Sequence, residues 1–345
     1  MKSVILVSDS ARKGLRAELA EQGVPTPGPG EVRVKMGACG LCGTDLEKIR
    51  GEYTASLPTI GHEAVGTVSE VGEGVDSLRV GDRVFPHHHV PCYSCYLCRS
   101  GHETMCEKYR STSLVPGGFS EEFKVPAWNV AGGGVLLLPS GMEFGVASLV
   151  EPLACCSRGL SRCNILPGSS VLIAGAGPVG MMHALLLKGM GAEAILSDVA
   201  ESRLAFAEKE GAGKVVDAAR DDVPAFVKAS TGGHGADVAI VASGSRAAIL
   251  QGLRSIRRGG TLCLFGVPPK GTVLDYDISD LYNSEQQVFT TYGATDADTR
   301  DALRVLSERG GEFSRLITHR FQLSRFEEAL EAAYSARAMK VVVTP

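Results

Sequence analysis

Apolar runs of strand length recur along the chain and predict its elements. The opening run Val4-Ile5-Leu6-Val7 turns polar at once, which suits a strand and is too short for the apolar core of a signal peptide. Residues 171–174 (VLIA), 236–244 (ADVAIVASG) and 260–267 (GTLCLFGV) are near-continuous apolar runs, the last two ending in small residues. Parallel strands buried on both faces read this way. A helical pattern follows residue 178, a further strand ends at Asp198, and strand and helix signals then alternate. Residues 118–130 and 340–345 predict strands of a second, β-rich region, and residues 325–336 an amphipathic helix. No run of about eighteen apolar residues occurs, so no membrane span is expected.

Composition narrows the class. The chain has 345 residues, long enough for two domains, with 44% hydrophobic and 21% charged residues, as in globular proteins. Its 35 basic and 39 acidic side chains give a net charge of −4, with no basic tail. Neither a nucleic acid nor a membrane surface is expected as partner. A cytoplasmic location is expected, and clustered cysteines there more often hold metal than form disulfides.

Four cysteines, Cys92, Cys95, Cys98 and Cys106, follow the spacing C-x2-C-x2-C-x7-C. Four thiolates from one short lobe (about residues 86–110) complete a closed tetrahedral zinc shell whose role is to pin the loop. An iron–sulfur cluster has the same ligand type with different usual spacing. Upstream, GACGLCGTD (37–45) and TIGHEAVGTV (59–68) bring a cysteine, a histidine and an adjacent carboxylate in separate segments. Such a set suits a catalytic zinc with one exchangeable position.

The stretch Gly175-Ala176-Gly177-Pro178-Val179-Gly180 joins a strand to a helix, and Asp198 ends the next strand about 20 residues on. The glycines let a pyrophosphate approach the helix N-terminus, and the acid reaches ribose hydroxyls. Asp198 favours NAD over NADP, although Arg203 lies five positions beyond it. His183, inside the following helix, is expected to be core.

Cys42-Gly43-Thr44-Asp45, then Gly61-His62-Glu63, then the four-cysteine lobe resemble the zinc-dependent medium-chain dehydrogenase/reductase superfamily, over essentially the whole chain. The pattern is nearest the sorbitol/polyol and threonine dehydrogenase branches. The resemblance implies an α/β protein: a Rossmann doubly wound parallel sheet and a β-rich GroES-like catalytic domain. The catalytic domain would span 1–147 and return at 290–345, with the NAD-binding domain at 148–289 and the active-site cleft between them. Two zinc ions per chain are implied. Cys42 and His62 would hold the catalytic one, with Glu63 a ligand or a supporting residue. Glu151 stands where simple alcohol dehydrogenases carry a cysteine, and Cys39 could compete with Cys42. Thr44 matches the proton-relay hydroxyl, and Glu47 stands where many members carry the relay's outer histidine. Of the tract His87-His88-His89, expected as a solvated loop, His89 matches a histidine near the active site of threonine dehydrogenases. Ala242, Gly244, Phe265, Gly266 and Val267 would lie near the nicotinamide.

The implied reaction is hydride transfer between a polar secondary alcohol and NAD. A polyol or cyclitol is the main expectation, and threonine or another amino alcohol the alternative. A non-enzymatic nucleotide-binding protein on the same fold is a further alternative. A homo-oligomer, dimer or tetramer, is expected.

Overall fold

The computed structural model describes residues 1–9, 14–51, 59–335 and 337–345. Two compact units divide it: Met1–Ala154 with Gly293–Pro345, and Cys155–Tyr292. The divisions fall after residues 154 and 292, where the sequence suggested 147 and 289.

In the first unit β1 (Lys2–Asp9) and β2 (Gly14–Glu21) form an antiparallel ribbon. β3 (Val32–Gly40), β4 (Glu63–Val71), β5 (Arg83–Pro86), β6 (Glu122–Val125) and β7 (Val135–Leu137) build a larger sheet in which β3 pairs with both β4 and β6. β3 begins with a period of two: Val32, Val34 and Met36 are buried, whereas Arg33 and Lys35 are not. One face of a pleated strand thus meets the core formed with Leu114, Phe119 and Phe123. From Ala38 to Gly40 every residue is buried, and this end of the strand leads to the polar site described below.

The second unit contains β8 (Ser170–Ala174), β9 (Glu193–Asp198), β10 (Lys214–Asp217), β11 (Ala236–Val241), β12 (Ile256–Leu264) and β13 (Gln287–Thr290). All its strand pairs are parallel, in the order β10-β9-β8-β11-β12-β13. This is the doubly wound order whose reversal, between β8 and β11, marks a ligand crevice at the strands' carboxyl ends. Leu172, Ala239, Val241 and Leu262 form its core with the apolar faces of helices such as Val223–Ser230 and Arg246–Ser255.

The chain then returns to the first unit with β14 (Ile317–Gln322) and β15 (Lys340–Thr344), and β15 pairs antiparallel with β3. A helix, Phe326–Tyr334, fills the interval with its Phe326 and Ala329 buried. Ala336, the last residue of the helix expected there, lies outside the described residues.

One expected strand is corrected. Of residues 118–130 only β6 is strand, and Ala127–Ala131 is a short helix begun by Pro126. Proline has no N–H for a ladder, while its carbonyl accepts from Val130 N at 3.1 Å and starts the helical turn. Among the described residues no helix is long and apolar enough to cross a membrane.

Candidate active site and metal centres

The four cysteines of the lobe converge. Their Sγ atoms all lie within 4.8 Å of one another, with Cys95–Cys98 at 3.6 Å and Cys92–Cys98 at 3.9 Å. A tetrahedral zinc with sulfur ligands at about 2.3 Å spaces its sulfurs about 3.8 Å apart. The observed separations straddle that value and far exceed a disulfide bond of about 2.05 Å. Backbone donors already face two of the sulfurs: Cys95 N points to Cys92 Sγ at 3.3 Å and Cys92 N to Cys106 Sγ at 3.4 Å. The donor set fits zinc. The lobe is tied to the helix Asp296–Ser314 by Tyr93, whose hydroxyl donates to Asp296 Oδ2 at 2.6 Å.

The second cluster forms where β3 ends and β4 begins. Cys42 caps the helix Gly43–Arg50, and its backbone N–H donates to Asp45 Oδ2 at 3.2 Å. Ligand atoms of Cys42, His62 and Glu63 lie within 4.8 Å of one another. Asp45, fully buried, accepts from Gly61 N at 3.1 Å through Oδ1, and His62 Nδ1 lies 3.3 Å from the same oxygen. This carboxylate fixes the imidazole's orientation, as second partners of metal-bound histidines do. Burial opposes a charge on His62, yet Asp45 and Cys42 hold it well above the usual histidine range. A thiolate, an oriented imidazole and a carboxylate within one metal ion's reach fit zinc.

Lys340 was not anticipated. At the start of β15, Lys340 Nζ lies 2.7 Å from Glu63 Oε1 and 2.5 Å from Oε2, and it also donates to Leu41 O at 3.1 Å. Both side chains are almost fully buried. Gly40 opposes Glu63 in the β3/β4 register, and a Cβ there would fall 1.9 Å from Glu63 Oε2. Glycine at 40 makes room for the pair. Glu63 is thereby held by an ammonium group while remaining within the cluster.

Other expected residues fall around this centre in different ways. Glu151 is buried in the first turn of the helix Val150–Ser161 and its charge acts on both Glu63 and Lys340, but it is not one of the three residues that converge within 4.8 Å. Cys39 is buried, and burial together with Asp45 and Glu63 raises its thiol well above the usual range. It is likewise outside the cluster. Thr44 and Glu47 occupy the helix capped by Cys42 and are half-buried.

The histidine tract is not a solvated loop. His87 and His88 are buried, and His87 Nδ1 lies 3.1 Å from Asp296 Oδ1. The ring of His88 stands 5.1 Å from that of His62, whereas His89 packs 4.9 Å from the Tyr109 ring and donates from Nδ1 to Thr112 O at 2.7 Å. Burial, followed by His87, pushes His89 down to about 3, so its ring is neutral at ordinary pH. His88 adjoins the His62 ring, and His89 lies against His88 with ring centres 4.0 Å apart. Packing under Phe85 and Tyr109 overrides the polarity of the tract.

In the second unit the glycine loop has the geometry a dinucleotide needs. Gly175 adopts φ +116°, and a Cβ on Gly180 would fall 1.8 Å from Gly175 O, so the helix Pro178–Gly189 can approach β8 only without a side chain there. Gly177 caps this helix, with Pro178 in its first turn and Val179 behind it. Asp198 ends β9 and accepts from Ala176 N at 2.8 Å, which ties the acid to the loop, and Arg203 Nη1 lies 3.5 Å from it. Ala242 and Gly244 meet Phe265, Gly266 and Val267 at the carboxyl ends of β11 and β12: Phe265 N and Gly266 N both donate to Val241 O. A Cβ on Gly244 would fall 2.3 Å from Val267 O. His183 is core, as expected, with its ring 4.8 Å from that of Phe265.

A family model for the alcohol dehydrogenase GroES-like domain matches residues 28–133, and one for zinc-binding dehydrogenases matches residues 178–308. The chain is a zinc-dependent medium-chain dehydrogenase. Its relatives include an L-threonine 3-dehydrogenase of Caldanaerobacter subterraneus subsp. tengcongensis, 33% identical over 341 residues and covering 95% of both chains. A sorbitol dehydrogenase of Halalkalibacterium halodurans is 30% identical over 94% of both. A zinc-binding dehydrogenase from Sinorhizobium meliloti 1021, solved bound to NADP, superposes with a TM-score of 0.86 at 28% identity, covering 100% of this chain and 99% of the other. This medium-chain dehydrogenase is thus an alcohol dehydrogenase-type oxidoreductase with a GroES-like domain, a Rossmann-type sheet, and zinc and a nicotinamide dinucleotide as cofactors. The non-enzymatic alternative is set aside.

Proposed function

We propose that this dehydrogenase oxidises a polar secondary alcohol, a polyol or cyclitol, with NAD as hydride acceptor. The observation that carries the reading is the convergence of Cys42, His62 and Glu63, with Asp45 orienting the imidazole. Cys42 and His62 would hold the catalytic zinc with Glu63, and Glu151 close by would complete or support the shell. Cys92, Cys95, Cys98 and Cys106 would hold the structural zinc. Bound there, zinc supplies a Lewis acid that makes a substrate hydroxyl more acidic, and the nicotinamide takes up the hydride.

The protein's own residues would do the rest. Asp45 holds His62 in one orientation, and Lys340 balances the buried charge of Glu63 so that the site tolerates a further carboxylate at Glu151. Thr44 Oγ1, in the first turn after Cys42, would receive the hydroxyl proton and pass it outward, with Glu47 one turn on as an exit. His89, already bonded through Nδ1, would position rather than titrate. Gly175, Gly177 and Gly180 would admit the pyrophosphate, Asp198 the ribose hydroxyls, and Ala242, Gly244, Phe265, Gly266 and Val267 the nicotinamide.

Threonine oxidation is the second reading. The 33% identity to a threonine dehydrogenase and the histidine three positions before Cys92 favour it. The zinc-loaded protein, given NAD and a panel of polyols, cyclitols, threonine and simple alcohols, decides between them through reduced-nicotinamide absorbance. A polyol or cyclitol preferred over threonine is expected, and a preference for threonine or for ethanol would overturn the main reading.

We further propose a cytoplasmic homo-oligomer, dimer or tetramer. Among the described residues no disulfide joins any of the ten cysteines, which suits a reducing compartment. β13 is a sheet edge with Val288 43% exposed, and Ile278 and Tyr282 in the helix before it are 72% and 83% exposed. Such an edge invites pairing with a second copy. Light scattering giving a monomer's mass would refute the assembly.

A further inference from the structure

The end of the helix Val150–Ser161 is laid across the parallel sheet of the second unit. A Cβ on Gly159 would fall 3.4 Å from Phe265 and 3.6 Å from Thr291, the residues that follow β12 and β13. Arg162 continues the contact: its Nη1 donates to Thr290 O at 2.7 Å, and its guanidinium carbon lies 4.8 Å from the centre of the Phe289 ring. The next residue, Cys163, meets Cys263 of β12, which pairs in register with Phe289 on one side and Ile240 on the other. The Cys263 thiol donates to Cys163, and Cys163 Sγ lies 3.4 Å from Gly159 O. Cys263 is fully buried and Cys163 is 7% exposed, so the pair meets solvent through Cys163. Two thiols are too few for a zinc shell, and among the described residues no third donor joins them within 4.8 Å. The hydrogen bond from Cys263 holds the Cys163 thiol below the usual cysteine range against its burial, and Arg162 adds to the effect. The same contact, with burial, holds Cys263 above that range. The outer sulfur is therefore the nucleophile and the inner one keeps its proton until it is needed.

We propose that Cys163 and Cys263 form a peroxide-responsive disulfide that pins the end of this helix to β12. The Cys163 thiolate attacks hydrogen peroxide; one oxygen bonds to sulfur, and the other leaves as hydroxide, which takes a proton to become water. The Cys263 sulfur then attacks the sulfenic sulfur. The S–O bond breaks as the S–S bond forms, and the oxygen leaves as a second water carrying the Cys263 proton. Peroxide is reduced by the two electrons that the thiols give up. So small an oxidant suits a sulfur with so little exposed surface. In a reducing compartment the pair stays open, and thiol exchange reopens it after oxidation.

The test uses the full zinc-loaded chain, treated with hydrogen peroxide, blocked with iodoacetamide and digested with trypsin. Cleavage after Arg162, Lys188, Arg258 and Lys270 leaves Cys163 and Cys263 each as the single cysteine of its peptide, residues 163–188 and 259–270. The expected main product is these two peptides linked, two hydrogens lighter than their sum, and separated again by dithiothreitol. Cys263→Ala should strand Cys163 as the sulfenic acid, raising its labelling by dimedone about tenfold over the unaltered protein. Cys163→Ala should leave Cys263 a free thiol. In the unaltered folded protein, a Cys163 that stays unreacted, proceeds to the sulfinic acid or links to a different cysteine would overturn the proposal. So would a link between the two peptides that forms only when the protein is oxidised in urea.

Discussion

The two candidate metal centres of the first unit are built on opposite principles. The four-cysteine lobe takes all its donors from residues 92–106, one short stretch, and the buried Asp296 reaches it only indirectly, through Tyr93. The Cys42–His62–Glu63 centre draws on the ends of two strands and depends on Asp45 and Lys340, both buried and both charged partners of a cluster residue. A closed shell of identical ligands needs only spacing. An open centre that must leave room for substrate needs its ligands aimed and their charge balanced from behind. The local centre is self-sufficient, and the catalytic one is a property of the assembled sheet.

That contrast is sharpest if each centre is opened separately. Cys42→Ser should lower kcat/KM by about 10³-fold or more, with one zinc lost by elemental analysis and the unfolding midpoint little changed. Cys98→Ser should also lose one zinc but act first on stability, because zinc binding at a structural site is folding free energy. If both variants lost activity and stability alike, the division of labour between the two centres would be wrong.

The charge balance behind the open centre is the next target. Lys340→Met leaves the Glu63 carboxylate buried without its cation, and a loss of about 3–5 kcal/mol in urea unfolding is expected. Glu63→Gln combined with Lys340→Met removes both charges and should recover much of that loss. A single variant as stable as the parent would show that the pair carries no structural burden.

A smaller effect tests the orientation of His62. Asp45→Asn keeps the side chain's shape while removing the charge opposite Nδ1, and zinc affinity at this centre should fall about 10- to 100-fold. Competition with a chelator measures it. The four-cysteine lobe should hold its zinc unchanged, and a loss there as well would mean that Asp45 acts on the fold rather than on His62.

The features read most directly from the chain are those whose chemistry lies close together in sequence. Cys92 to Cys106 converge as the spacing suggests, and the loop from Gly175 to Gly180 joins a strand to a helix with Asp198 at the end of the next strand. Steric need explains both: short-range ligands and tight turns leave few conformations open. Pro126 was legible too, but the strand pattern around it masked the break it causes.

Tertiary structure alone decided the rest. Lys340 reaches Glu63 across 277 residues because β15 and β4 both pair with β3, and Gly40 clears the space between them. His88 meets His62 because packing buries His87 and His88, while Thr112 captures His89 against His88. The sequence by itself determined which donors exist and which of them neighbour one another along the chain. Which charges face each other in the interior depended on strand register, where a shift of one residue turns every side chain to the other face.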